Sequence, residues 1–283
     1  MSLQELMALM GALDKAKSFN LRFVDEEDLE IIKYVSKELD NFKMNPATVV
    51  KKMDYIKAKK EALKMMSLFG GDIVSKAKSV LDDVSLLSVH PLPFMYSCNV
   101  KYELGLNGEV LRNSGKFTEL KVPRIMDSTA PVMFGHELIH LVKETNYDEY
   151  VDAYVYSDVI PLLFEMIKMY DVDSPRVLFA ERMQLLLTDK MSFDQITRSI
   201  DSRNDSELTR YVQTRSGEYL NSYYYALVLF NMYKTNQQEI LKYMRMVLNH
   251  EITTRQMLMA LGIYKDLEYK DLFEKEFEIV KKI

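Results

Sequence analysis

The chain has one cysteine, Cys98, so no disulfide framework can form within it and a reducing compartment is expected. Glycine and proline are also scarce, 9 and 7 among 283 residues. With 19 methionines and abundant Leu, Lys and Glu, the composition favours helices. Methionine suits the irregular gaps between them. No apolar run reaches the roughly 18 residues needed to span a bilayer. The opening "MSLQELMALMGALDKAK" lacks a basic stretch ahead of an apolar core, so it does not read as a signal peptide. One-sided charge is missing too: the net charge is −5, with 28% charged residues. Lys51, Lys52, Lys57, Lys59, Lys60 and Lys64 cluster modestly, in a pattern that reads as a solvated helix face. A nucleic-acid partner would need a far more basic domain. The expectation is a soluble, cytoplasmic protein with no nucleic-acid or membrane partner; its oligomeric state is not legible.

The pattern along the chain is helical up to about residue 90. Leu6, Met7, Met10, Leu13 and Ala16 follow helical spacing, as do Leu29, Ile32, Tyr34, Val35 and Leu39 after the acidic "DEEDLE". Pro46 opens a longer pattern that runs to Leu68, "FGGD" breaks it, and Asp72 can cap the next helix. The texture changes between about 94 and 122, where short alternating runs surround Asn107-Gly108 and Ser114-Gly115. Two or three antiparallel strands are expected there. Helices then resume: one capped by Ser128 or Thr129 with Pro131 in its first turn, one from about 148 to 170, and one from about 175 to 188. More follow to Ile283, with breaks near Gly217, Asn236 and Gly262. The expected fold is mainly α with a small antiparallel β-sheet. It divides into an N-terminal helical region, 1–90, and a region 91–283 packed with it in one unit.

Histidine is scarce too, with four in the chain, yet two of them fall within "GHELIH", at His136 and His140. Histidines four apart stack on one helix face, so their rings can converge on one ion. The residue after the first projects about 100° away around the helix. Glu137 is therefore placed to act as a general base on a metal-bound water, and not as a ligand. A hydrolytic zinc needs a third protein ligand and an open position. Downstream candidates are Glu144, Glu149 and Glu165. Glu144 shares the motif helix and Glu149 falls at a helix junction. Glu165 lies amid Leu162, Leu163, Phe164, Met166 and Ile167, where an unpartnered carboxylate is costly. A metal ion would resolve that cost. Asp158 lies seven residues earlier on the same face and could orient a histidine from behind. His90 and His250 lack ligand spacing, and Cys98 reads as a packed strand residue. A helix whose histidines bond locally or face solvent is the competing reading of the motif.

The stretch resembles the thimet-oligopeptidase and oligoendopeptidase F family of zinc metallopeptidases. In that family the third ligand follows the second histidine by the interval that separates His140 from Glu165. "YVYSDVIPLLFE" is similar to the run leading to that ligand, "EYLNSYYYALVLF" to the family's tyrosine-rich segment, and "MLMALGIYKDLEYKDLFEKEFEIV" to its closing helix. The likeness covers roughly residues 90 to 283. It implies a gluzincin-type catalytic fold and one Zn2+ per chain, bound by His136, His140 and Glu165. It implies Glu137 as general base, Tyr223 as donor to the developing oxyanion, and Tyr219 as a substrate-binding residue, with a peptide as substrate. Without the resemblance, the tyrosine stripe would read as an amphipathic core edge.

The sequence departs from the family at Ile139, where a Gly is usual, and at Lys143, where a further His is usual. Lys168 replaces a small residue, and no histidine stands near Thr214 to Gly217. The expected function is a zinc oligopeptidase. The alternative is a helical binding protein that keeps a zinc site without hydrolysis.

Overall fold

The computed structural model describes residues 26–40, 42, 52–82, 84, 86–89, 97–101, 117–123, 126–143, 156–172, 175–200, 213–214, 216–265 and 267–280. The helical patterns expected around Leu6–Ala16 and at Pro46, the turns at Asn107-Gly108 and Ser114-Gly115, His90, Glu144 and Glu149 lie outside these residues. Among the described residues the chain is mostly helical, with one small sheet. The helices are α1 (Glu26–Glu38), α2 (Tyr55–Met65), α3 (Gly71–Asp82), α4 (Ala130–Lys143), α5 (Val159–Lys168), α6 (Pro175–Ser199), α7 (Glu218–Thr235), α8 (Gln237–Leu248), α9 (Thr254–Ala260) and α10 (Lys270–Val280). The strands are β1 (Leu86–Val89), β2 (Ser97–Lys101) and β3 (Phe117–Val122). None of these helices is long and apolar enough to cross a membrane.

Local chemistry explains most boundaries. The Asp54 carboxylate accepts from the Lys57 N–H at 2.9 Å and caps α2. Thr253 and Gln256 form a reciprocal capping box at α9. Gly70 carries φ +105°, which favours glycine, and α3 begins at Gly71. Asp72 therefore lies within the first turn of α3, not at its cap. Before α4, Asp127 Oδ1 accepts from the Thr129 N–H at 2.8 Å and from its hydroxyl at 2.6 Å. The carboxylate of Asp127, and not Ser128 or Thr129 alone, thus organises that start. Breaks fall at Gly217, Asn236 and Gly262 as the pattern predicts. The helix expected over 175–188 runs on to Ser199.

The expectation of a purely antiparallel sheet is corrected. The strand order is β1-β3-β2; β2 pairs antiparallel with β3, but β1 pairs with β3 in parallel. β1, "LLSV", fell in the segment read as helical, because a four-residue apolar run carries no decisive period.

The core positions α4. It packs against α2, α3, α5 and β2, and is buried at every residue except His140 and Lys143. The Met53 N–H donates to the Met126 carbonyl at 2.9 Å, tying the approach of α2 to the approach of α4. One hydrophobic cluster runs from Leu29 on α1 to Phe277 on α10, so residues on both sides of position 90 share it. Gly135 lets α4 and α5 approach closely. A Cβ there would lie 2.5 Å from Phe164 Cε1 and 2.7 Å from its Cζ. Phe164 is fully buried and in ring contact with Phe69 at 5.9 Å, so it has little room to retreat.

α1 is joined to this core by a buried acid. The Tyr156 hydroxyl donates to Asp28 Oδ1 at 2.8 Å, and the Tyr156 ring meets Tyr225 edge-on at 5.7 Å. Burial pushes Asp28 up to about 6, against the opposing effect of the Tyr156 hydrogen bond.

Gly135→Ala should destabilise the fold by about 1–3 kcal/mol through overpacking, outweighing the roughly 1 kcal/mol that Ala gains over Gly in a helix interior. Equal or higher stability in urea denaturation would refute the close approach. For Asp28, the folded value near 6 exceeds the unfolded value near 3.8. Its favourable contribution is therefore complete below about pH 4 and is lost as pH rises through 6. Asp28→Asn, uncharged throughout, should exceed the parent in stability by about 1–3 kcal/mol above pH 7. That excess should vanish below pH 4, and a pH-independent difference would show that Asp28 is not the cause.

Candidate metal centre

α4 carries His136 and His140 one turn apart, as the motif requires, and their Nε2 atoms lie 3.1 Å from each other. The third group is Asp158, at the residue before α5. Its side chain makes no hydrogen bond to cap its own helix. Instead Oδ1 lies 3.3 Å from His136 Nε2 and 3.2 Å from His140 Nε2. The other oxygen accepts from the Ser157 hydroxyl at 2.9 Å, and Lys143 Nζ donates to the Ser157 carbonyl at 3.1 Å. Lys143, one turn past His140, thus steadies the turn that presents Asp158.

His136, His140 and Asp158 form a group compatible with a metal ion. Their donor atoms are separated by 3.1–3.3 Å. A tetrahedral ion with bonds of about 2.0–2.1 Å has edges of about 3.3 Å. Two imidazole lone pairs and a carboxylate oxygen repel one another at such distances unless a cation or a proton lies among them. Burial opposes protonation of His136, but Glu165 and then Asp158 outweigh it and hold its pKa up to about 9. Burial likewise opposes ionisation of Asp158, and the two histidines outweigh it, holding the carboxyl well below the usual range. A proton is thus the competitor that any metal ion must displace here.

Glu165 sits on the opposite edge of the His136 ring. Its Oε1 lies 2.5 Å from Nδ1. The sequence places Glu165 among the ligands and Asp158 behind a histidine; the structure sets Asp158 beside both Nε2 atoms and Glu165 behind His136. The reason is Arg182, on α6. Its Nε and Nη2 both donate to the Glu165 carboxylate. The guanidinium also donates to the Tyr219 hydroxyl at 2.6 Å and to Met133 Sδ at 2.8 Å. Arg182 is 6% exposed and Glu165 2%. The buried carboxylate already has a cationic partner without any metal. Arg182 escaped the sequence reading, although "FAERMQLLL" sets an arginine among apolar residues much as "LLFEMI" sets a glutamate.

The remaining candidates surround this hub. Glu137 is buried on α4. Tyr219 is engaged by Arg182 through its hydroxyl. Tyr223, one turn on, is buried and lines a small cavity with Glu165, Arg182, Leu162 and Met166. Burial, reinforced by Glu165, raises its pKa, so the hydroxyl keeps its proton. Tyr223 therefore lies on the Glu165 side of the centre. Next to Arg182, Glu181 is pushed up to about 8, by burial first and then by Asp127.

No protein-family model, curated protein or solved structure matches the chain. The centre is thus read from its own geometry.

That geometry ranks the two carboxylates. Asp158→Ala should lower affinity for a divalent ion by about a hundredfold or more, beyond the range typical of a group that only orients a ligand. Glu165→Gln should cost less. Titration calorimetry with the two variants checks the order; an equal or greater loss for Glu165→Gln would return Glu165 to the ligand set.

Proposed function

We propose that the chain is a zinc-dependent peptidase holding one Zn2+ through His136, His140 and Asp158. The observation that carries this reading is the triangle of donors, spaced for a tetrahedral ion, within a His-Glu-x-x-His helix. Two neutral nitrogens and one carboxylate oxygen are a common zinc donor set. Bound zinc would lower the pKa of its water to near 7 and polarise a peptide carbonyl.

The chain's own residues divide the remaining work. Asp158 supplies the anionic donor, with its second oxygen held by Ser157. Glu165 steadies the Nδ1 edge of His136, so that Nε2 points at the other donors. Glu137 accepts the proton of the attacking water and delivers it to the leaving amine. Tyr223 keeps its proton but lines the cavity on the Glu165 side of His136, so it is not the proposed donor to the oxyanion. Among the described residues β2 lies at the edge of the sheet and packs against α4, and an extended peptide pairing with it would run beside the motif helix. The gluzincin likeness then lies in the order of motif helix, carboxylate-bearing helix and tyrosine helix, with an aspartate as the third ligand. With a single cysteine, the cytoplasm is the proposed location.

A specific observation favours a second reading. Glu165, which the family resemblance gives to the metal, is neutralised by Arg182. A helical protein that holds zinc without hydrolysis would tolerate that arrangement. Glu137→Gln separates the two. Loaded with zinc, the parent protein should cleave members of a quenched-fluorescence peptide library. The variant should lose about 10²–10⁴ of that rate while binding zinc equally well. One zinc per chain without Glu137-dependent cleavage would establish the second reading.

A further inference from the structure

We infer that Arg182 is a positioning residue for the metal centre, acting through Glu165 to set the orientation of His136. The inference rests on the metal-site reading and adds to it a residue 46 positions beyond His136 in the sequence.

Glu165 lies on α5 and touches Nδ1 of His136 on α4. Glu165 Oε1 lies 2.5 Å from Nδ1, outside hydrogen-bond geometry but close enough to limit how the ring can turn, and Nε2 faces the other two donors. A glutamate alone has three rotatable bonds and could meet the ring in several ways. Arg182 removes that freedom, because both carboxylate oxygens are taken by two nitrogens of one planar fork. The fork is itself anchored. The Tyr219 hydroxyl on α7 accepts from Nη1 and Met133 Sδ on α4 accepts from Nη2. Met133 lies three residues before His136, so the guanidinium touches the motif helix one turn from the histidine it positions.

A lysine would keep the charge but lose the fork.

The test uses the full chain loaded with Co2+, whose visible spectrum reports ligand geometry. Affinities are measured by competition with a chelator, and folding is checked by circular dichroism and thermal melting. The parent protein should bind one Co2+. Arg182→Lys should fold, bind Co2+ roughly tenfold more weakly, and show an altered visible spectrum. Arg182→Gln should weaken binding by about ten- to a hundredfold. The double variant Arg182→Gln/Glu165→Gln should be no weaker than the weaker single variant, because the two residues act in one chain. A purely structural Arg182 would lower the melting temperature and leave spectrum and affinity alone in the folded Arg182→Lys protein; that result overturns the inference. Tighter binding in Arg182→Gln, with a spectrum of higher coordination, also overturns it, since Arg182 would then be holding Glu165 away from the ion. Failure of the parent protein to bind Co2+ or Zn2+ removes the metal-site reading itself, a different outcome from either.

Discussion

The buried pair of Arg182 and Glu165 is the interaction on which the centre depends. Neither charge could stay ionised alone among Leu162, Met166 and Leu178, because transfer of a lone ion into such surroundings costs several kcal/mol. Together they are satisfied at both carboxylate oxygens. Removing one partner of such a pair typically costs about 3–5 kcal/mol, since the other charge is stranded. Its place in the fold gives that energy a direction. Arg182 comes from α6, Glu165 from α5, Tyr219 from α7 and Met133 from α4. Four helices thus share one polar contact inside an otherwise apolar cluster, and their relative registers are linked through it. Apolar packing alone tolerates small sliding; a bidentate pair with two further partners does not.

α4 shows how the fold uses that rigidity. A helix buried along nearly its whole length gains no stability from a polar face, so His136 and Glu137 are held among apolar neighbours at 4% and 7% exposure. Low exposure strengthens every electrostatic interaction at the centre and makes each unpaired donor more costly. Gly135 brings α5 close enough for Asp158 and Glu165, seven residues apart, to approach opposite edges of one imidazole ring. The two carboxylates flank His136 because one lies at the start of α5 and the other near its last turn.

Much of this was legible in the sequence, and the part that was not has a physical cause. The motif helix, its Pro131 in the first turn, and the helix bearing Glu165 follow from periodicity and capping alone. Asp158 and Glu165 were both singled out, yet their places differ from the expected ones. A buried glutamate in "LLFEMI" needs a cation, and the sequence offers no way to choose between a metal ion and an arginine 17 residues on. Helical spacing reports which residues share a face within one helix, whereas the partner of Glu165 comes from another helix whose angle is set by packing. β1 was missed for a related reason. Four residues without charge or clear alternation take their conformation from the neighbour they pair with, here β3 in parallel.

The number of converging donors bears on what such a centre can do. A purely structural zinc site closes all four tetrahedral positions with protein ligands, and a site that turns over substrate keeps one for water. Among the described residues three donors meet. A second carboxylate, Glu165, is turned to the far edge of His136 and held there by Arg182. The pair that satisfies a buried charge therefore also fixes the carboxylate that meets the far edge of the His136 ring, so the stability of the helix bundle and the arrangement of the donor triangle rest on one contact.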